Sequence, residues 1–211
     1  MDGTRVTRTL SRSAVFLAAW ACAGSAAAAA PATQTEEEAV ASHDPLWNEI
    51  RLSVTDESFW GEWRNPYSRG HGYWSVELFA NDDDDVALSV GVLRTSPPKG
   101  DGVRLGVGLE AYAFSLDGPD DEVYGIALSG MASYMLPTYY PVTVSAEVAY
   151  APDVTTFDGA DGIFDFSLQA ELEISESAHA FVGYRKLELD LPGGVDYEPQ
   201  DSFYVGVGLR L

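Results

Sequence analysis

The final ten residues, Ser202 to Leu211, alternate without interruption: Phe203, Val205, Val207, Leu209 and Leu211 fall on one side, and Ser202, Tyr204, Gly206, Gly208 and Arg210 on the other. Side chains alternate faces along a strand, so this is one wholly apolar face opposite a polar or small one. The same period of two recurs upstream. In Phe164 to Ile174 the even positions are apolar and the odd ones are Asp165, Ser167, Gln169, Glu171 and Glu173. In Val142 to Tyr150 the even positions are again apolar. Val103, Leu105, Val107, Leu109 and Ala111 face away from Arg104, Gly106, Gly108, Glu110 and Tyr112. Val86, Leu88, Val90 and Val92 alternate with Ala87, Ser89 and Gly91; Trp74, Val76 and Leu78 with Ser75 and Glu77; Ile50, Leu52 and Val54 with Arg51 and Ser53. No helical period competes with this pattern beyond the first 44 residues.

Turn residues divide the pattern into ten strands, over 48–55, 57–64, 72–80, 85–94, 102–115, 122–135, 141–151, 163–174, 178–190 and 202–211. The ninth changes phase. Val182 and Tyr184 put apolar side chains on even positions, and Leu187, Leu189 and Leu191 put them on odd ones; a bulge near Arg185-Lys186 reconciles the two. An even count of antiparallel strands, apolar outside, describes an all-β transmembrane up-and-down barrel. A soluble sandwich would turn the apolar faces inward and the others to water. Here those other faces are rich in Gly, Ser and Ala, which suits a narrow, crowded lumen.

The N-terminus fits export. Arg5, Arg8 and Arg12 precede a short Ala-rich apolar run that ends near Ala30, the form of a secretory signal peptide. This gives a signal peptide over 1–30, a tail over 31–46 that is acidic and without periodicity, and one barrel domain over 47–211. The single cysteine, Cys22, falls in the leader, so the processed chain has no disulfide framework.

Removing the leader takes 3 of the 12 basic residues and 1 of the 33 acidic ones, leaving 9 against 32, a net charge of −23. That excludes a nucleic-acid binder, which needs a basic patch. The charge is also sided. Barrel chains start and end in the periplasm, so alternate connections face outward, at 55–58, 81–85, 117–122, 153–162 and 192–201. None of these contains Lys or Arg, whereas the opposite turns hold Arg69, Arg94 and Lys99. Two acidic runs, Asp82, Asp83, Asp84 and Asp85, and Asp120, Asp121 and Glu122, lie on successive outer hairpins. Hard divalent cations prefer such oxygen clusters and could bridge them to phosphates of surrounding lipopolysaccharide; solvated loops are the plainer account.

The inward faces carry Arg51, Glu77, Arg104, Glu110, Glu147, Glu171, Arg185 and Arg210, together with Glu49, Glu62, Arg64, Asp165 and Glu173. Enclosed charges of both signs persist only when paired or hydrated. They form either a structural ion-pair network or the lining of a narrow cation-favouring conduit. Gly91, Gly106, Gly108, Gly125, Ser129, Gly183, Gly206 and Gly208 keep the interior small in places, which leaves room for a water-filled slot. Trp47, Trp60, Trp63, Trp74, Tyr134, Tyr139, Tyr140, Tyr150 and Phe157 sit near strand ends, where the girdles of membrane barrels form.

Catalysis has little support. His43, His71 and His179 lie in the tail or on the periplasmic side, away from the outer rim. No zinc, haem, P-loop or dinucleotide spacing is present, and no cofactor is expected.

Three segments, Ser145 to Val154, Ala180 to Leu187 and Phe203 to Leu209, resemble the YfaZ family of predicted outer-membrane proteins; their Tyr-Ala-Pro and Val-Gly-Tyr-Arg elements are the more specific. The resemblance implies an outer-membrane location and no established activity. The C-terminal strand also resembles the signal read by the barrel-assembly machinery, through Tyr204, Gly206, Leu209 and Leu211, with Leu211 in place of the usual terminal aromatic. The expected roles are therefore an envelope structural protein without catalysis, then a narrow cation-favouring channel, then an outer-membrane enzyme. The expected partners are membrane lipid, lipopolysaccharide, the assembly machinery and divalent cations.

Overall fold

A computed structural model describes residues 48–67, 71–97, 102–116, 122–157, 159–193 and 195–211. The leader, the tail and Trp47 lie outside the described residues, as do Arg69, Lys99, Asp120 and Asp121. Ten strands build the wall: β1 (Glu49–Val54), β2 (Ser58–Pro66), β3 (Gly72–Asn81), β4 (Val86–Thr95), β5 (Val103–Ser115), β6 (Glu122–Leu136), β7 (Val142–Pro152), β9 (Gly162–Ser175), β10 (Ala178–Leu191) and β11 (Val195–Arg210). The connection between β7 and β9 holds a single 3₁₀ turn and a two-residue strand, β8 (Thr156–Phe157), laid antiparallel on β6. Each wall strand pairs antiparallel with its neighbour, and β1 pairs with β11 from Glu49↔Arg210 to Val54↔Val205. That last pairing closes the sheet and removes its edges.

The apolar positions of the alternating pattern point outward. Leu52, Val90, Val107, Leu128, Leu168, Val182 and Val207 are all exposed, and their equivalents continue round the circumference. In water this would be an apolar surface far larger than the few hundred Å² that monomeric soluble proteins tolerate. It is the outer face of an outer-membrane-type barrel. Prolines sit where no ladder bond is lost, at the ends of β2 and β7 (Pro66, Pro152).

The last strand departs from its expected bounds. It begins at Val195, not at 202, so most of the connection expected over 192–201 is strand. Between Leu187↔Gln200 and Leu189↔Tyr197, Glu198 and Pro199 of β11 stand opposite Glu188 alone. This is a bulge, and Pro199, which has no N–H to donate, sits in it. The bulge lets both Gln200 and Tyr197 turn inward although they are three positions apart.

The phase change therefore lies in β11 and not at Arg185-Lys186. β10 keeps its odd positions inward throughout, and Leu187 and Leu189 are completely buried inside the barrel. What changes along β10 is the surroundings. Toward the β10–β11 turn its outward positions become Lys186, Glu188 and Asp190. Lys186 pairs there with Glu188 (2.5 Å) and Glu198 (3.0 Å).

Candidate functional site: the lumen

The barrel has two ends. The terminal end carries the start of β1 and the end of β11; the hairpin end carries the β1–β2, β3–β4 and β10–β11 turns. Toward the hairpin end, inward side chains from β2–β7, β9 and β10 meet in a dry cluster. It contains Trp60, Phe79, Tyr112, Phe114, Val123, Ile163, Leu187 and Leu189, with Tyr197 packed against it. Phe79, Val123, Leu187 and Leu189 are 0% exposed, so these side chains plug the bore. Trp60, expected in an aromatic girdle, belongs to this plug. Its side chain points inward from β2 and packs tilted against Phe79 at 5.4 Å between ring centroids. Trp63 and Trp74 do lie on the outside, edge to face at 4.7 Å, and Tyr134, Tyr139, Tyr140, Tyr150 and Phe157 are exposed.

Two hydrogen-bonded ties fasten the plug to the bulged part of β11. Trp60 Nε1 donates to Gln200 Oε1 at 2.7 Å. Tyr197 Oη donates to Asp85 Oδ2 at 2.5 Å, and Asn81 Nδ2 donates to the same oxygen at 2.9 Å. Asp85 is thus 2% exposed and faces inward, which removes it from the expected exposed cation cluster. Its neighbours Asp82, Asp83 and Asp84 remain exposed in the turn. Asn81 Oδ1 accepts the amides of Asp83 (3.1 Å) and Asp85 (2.9 Å), an Asx-type arrangement, and Asp84 takes the left-handed conformation at φ 63°. Glu122 is exposed and accepts from Tyr124 Oη at 2.7 Å.

Beneath the plug the lumen is ionic. Each expected lumen residue (Arg51, Glu77, Arg104, Glu110, Glu147, Glu171, Arg185 and Arg210) lies on the inward face of its strand. Arg185 donates Nε to Asp165 Oδ1 at 2.9 Å, its Nη2 pairs with Asp165 Oδ2, and Glu77 Oε2 lies 3.4 Å from Nη2. Tyr112 Oη donates to Asp165 Oδ2 at 3.1 Å. Arg64 pairs with Glu62 and, at 3.4 Å, with Glu147. Arg51 sits among Glu49 (3.5 Å), Glu62 (3.7 Å) and Glu171 (3.6 Å) and stacks over Phe181 at 4.5 Å. Arg210 holds Glu173 at 2.7 Å. Ser89 Oγ donates to Glu110 at 2.7 Å. Two adjoining cavities, which share Arg51, Arg64, Tyr73 and Glu147, run from mid-barrel toward the terminal end, where Arg104, Glu171 and Arg210 line the second.

Sequence reasoning missed His179 as a filler of the lumen. His179, 1% exposed, places Nε2 2.9 Å from Glu49 Oε1 and 3.7 Å from Glu171 Oε2. Glycines make room for it and for two rings. Across the β10–β11 ladder His179 faces Gly208, Phe181 faces Gly206, and Tyr204 faces Gly183. A Cβ on Gly183 would stand 2.5 Å from the Tyr204 ring. These glycines, expected to widen a slot, seat side chains from the neighbouring strand. Of the small residues expected to open the lumen, Gly91 and Ser129 do line the cavity. Of the expected assembly signal, Tyr204 and Gly206 point inward, and Leu209 and Leu211 are exposed.

No curated protein sequence matches the chain. Among solved structures, a chain described as KdgM porin is similar at 11% identity with a TM-score of 0.42, covering 78% of this chain and 98% of its own. A family model described as YfaZ precursor matches residues 74–211, a stretch that begins in β3, includes all three segments of sequence resemblance and runs to the last residue. The chain belongs to the YfaZ precursor family.

Proposed function

We propose that the chain is exported, built into the outer membrane and serves there as a non-catalytic envelope protein whose bore is shut. The observation that carries this is the plug. Phe79, Val123, Leu187 and Leu189 exclude solvent from the hairpin end of the lumen. A dry apolar constriction stops ions, because they cannot shed water there without compensation. The enclosed His179, wedged between Glu49 and Glu171, is an internal filler in this reading and not a proton-transfer group. The partners are membrane lipid and lipopolysaccharide, and the assembly machinery acts on the C-terminal strand during biogenesis.

The test is single-channel recording on the processed chain refolded into planar bilayers. The expected result is a silent membrane at all voltages; steady conductance would overturn the reading.

A second reading, a narrow cation-favouring conduit, draws support from the polar cavities below the plug, where Glu110, held by Ser89, joins the arginine-paired carboxylates. It requires the plug to move. The same recording made on Phe79→Ser/Leu187→Ser separates the two: openings favouring cations in the variant, with silence in the parent, make the plug the barrier.

A further inference from the structure

Among the described residues, one exterior cation is out of keeping with its surroundings. In β4 the outward positions run Val86, Leu88, Val90, Val92 and then Arg94. Among the described residues, Arg94 is the arginine on the outer face; Arg51, Arg64, Arg104, Arg185 and Arg210 all face inward. No described carboxylate comes within ion-pair range of it, in a chain where acidic residues far outnumber basic ones. The exposed lysine of β10, by contrast, is held by Glu188 and Glu198 at the other end of the barrel.

Arg94 stands at the terminal end of an open groove on the outer wall. His71, Ser96 and Pro97 line it on the rim side, and Leu105 and Val107 form its apolar part. The geometry fixes these neighbours. Arg94 pairs with Val107 across β4–β5 and with Gly72 across β3–β4, and the Thr95 amide donates to the His71 carbonyl at 3.1 Å. Gly72 has no side chain, and the Tyr67 ring fills its place, with Tyr67 Oη donating to the Leu93 carbonyl at 3.3 Å. One row further into the wall, Trp74 pairs with Val92 and packs on Trp63. Outward tryptophans mark the headgroup level of a membrane, so Arg94 and His71 lie at or just beyond that level. Leu105 and Val107, 49% and 59% exposed, offer apolar surface beside them.

We propose that Arg94 and His71 bind the phosphate of a phospholipid whose acyl chain lies along Leu105 and Val107. A guanidinium at the interface with no described carboxylate in ion-pair range, next to a second donor in the His71 imidazole, recognises an anionic headgroup. The apolar strip distinguishes a lipid from a free anion. β1 starts and β11 ends at this end, which in outer-membrane barrels is the periplasmic one; the site then lies in the periplasmic leaflet, so the occupant is a phospholipid and not lipopolysaccharide. The proposal rests on the membrane reading of the barrel.

The test is native mass spectrometry of the processed chain in non-ionic detergent, titrated with phosphatidylglycerol. The parent protein is expected to retain one lipid. Arg94→Gln should weaken retention about tenfold, the size of a lost charge-assisted hydrogen bond, and His71→Ala by less. Lys186→Gln should leave it unchanged. Equal retention by Arg94→Gln overturns the site. So does equal binding of glycerol 3-phosphate, which has no acyl chain, or a preference for lipopolysaccharide. Unchanged thermal unfolding of Arg94→Gln shows that the fold is intact. A barrel that stays dissolved without detergent overturns the membrane reading itself, an outcome separate from any lipid count.

Discussion

The guanidinium of Arg185 lies 3.4 Å over the centroid of the Trp60 ring, with Asp165 and Glu77 on its charged edge. This contact joins the dry plug to the ionic half of the lumen. Cation–π contact strengthens when the cation is desolvated, as here. Removing Arg185 strips the plug of its floor and leaves two buried carboxylates facing each other. Arg185→Gln should therefore destabilise the folded barrel by about 3–5 kcal/mol, the cost of orphaning one side of a buried pair. Unfolding in urea from detergent micelles measures it. Arg185→Lys should recover little, because a point charge reproduces neither the forked contact with Asp165 nor the stacking.

Asp85 and Asp83 are two positions apart and should behave as different kinds of residue. Asp85 is buried and accepts from both Tyr197 and Asn81; Asp83 is exposed in the turn. Asp85→Ala leaves two donors unsatisfied beneath the turn and should cost about 1–3 kcal/mol. Asp83→Ala should fall within about 0.5 kcal/mol of the parent protein. Paired melting curves decide the matter, and equal effects would contradict the inward placement of Asp85.

Most of the wall was legible because lipid and lumen impose opposite demands on alternate residues. Val86 to Val92 and Phe203 to Leu211 could be assigned from polarity alone. The rule failed where the strands pass beyond the apolar band. There Leu187 and Leu189 are apolar because they face a dry plug, while Lys186 and Glu188 face outward. Leucine carries no mark that tells one apolar setting from the other, so the pattern suggested a bulge in the wrong strand. The actual bulge has a local sign, Pro199, but Val195 to Gln200 lacks the alternation that would have marked it as strand.

The lumen's charged residues were also legible, each by its position in the alternation. Their pairing was not. Arg185 meets Glu77 from the other side of the barrel, and Arg51 meets Glu171 in the same way. Such contacts depend on strand stagger and tilt, which no single strand encodes. The interior glycines illustrate the same limit. A glycine can hold a bore open or receive a neighbour's ring, and only the register distinguishes Gly91 from Gly206.

Opening the lumen by substitution should be selective. Trp60→Phe keeps a ring against Phe79 but loses the indole donor to Gln200, a residue 3% exposed. The variant should lose about 1–3 kcal/mol and still give a silent bilayer, because the apolar constriction survives. Conductance in Trp60→Phe comparable to that of Phe79→Ser/Leu187→Ser would place the barrier in the hydrogen-bonded tie and not in the plug.

Gly125 offers the sharpest check on how tightly that plug is packed. It faces inward from β6, and a Cβ there would collide with Cδ1 of Ile163 on β9, with the Thr156 methyl next at 3.3 Å. Neither obstacle is backbone. Gly125→Ala should therefore cost about 1–3 kcal/mol through overpacking. Ile163→Val deletes the colliding carbon and, alone, should cost about 0.5–1.5 kcal/mol through the space it leaves. Together the two exchange one methyl for another at nearly constant volume, so the double variant should be more stable than the sum of the single effects predicts. A double-mutant cycle on unfolding free energies measures that coupling. Simple additivity would mean that β6 and β9 do not meet in the bore as the register of β8 and the buried Ile163 place them.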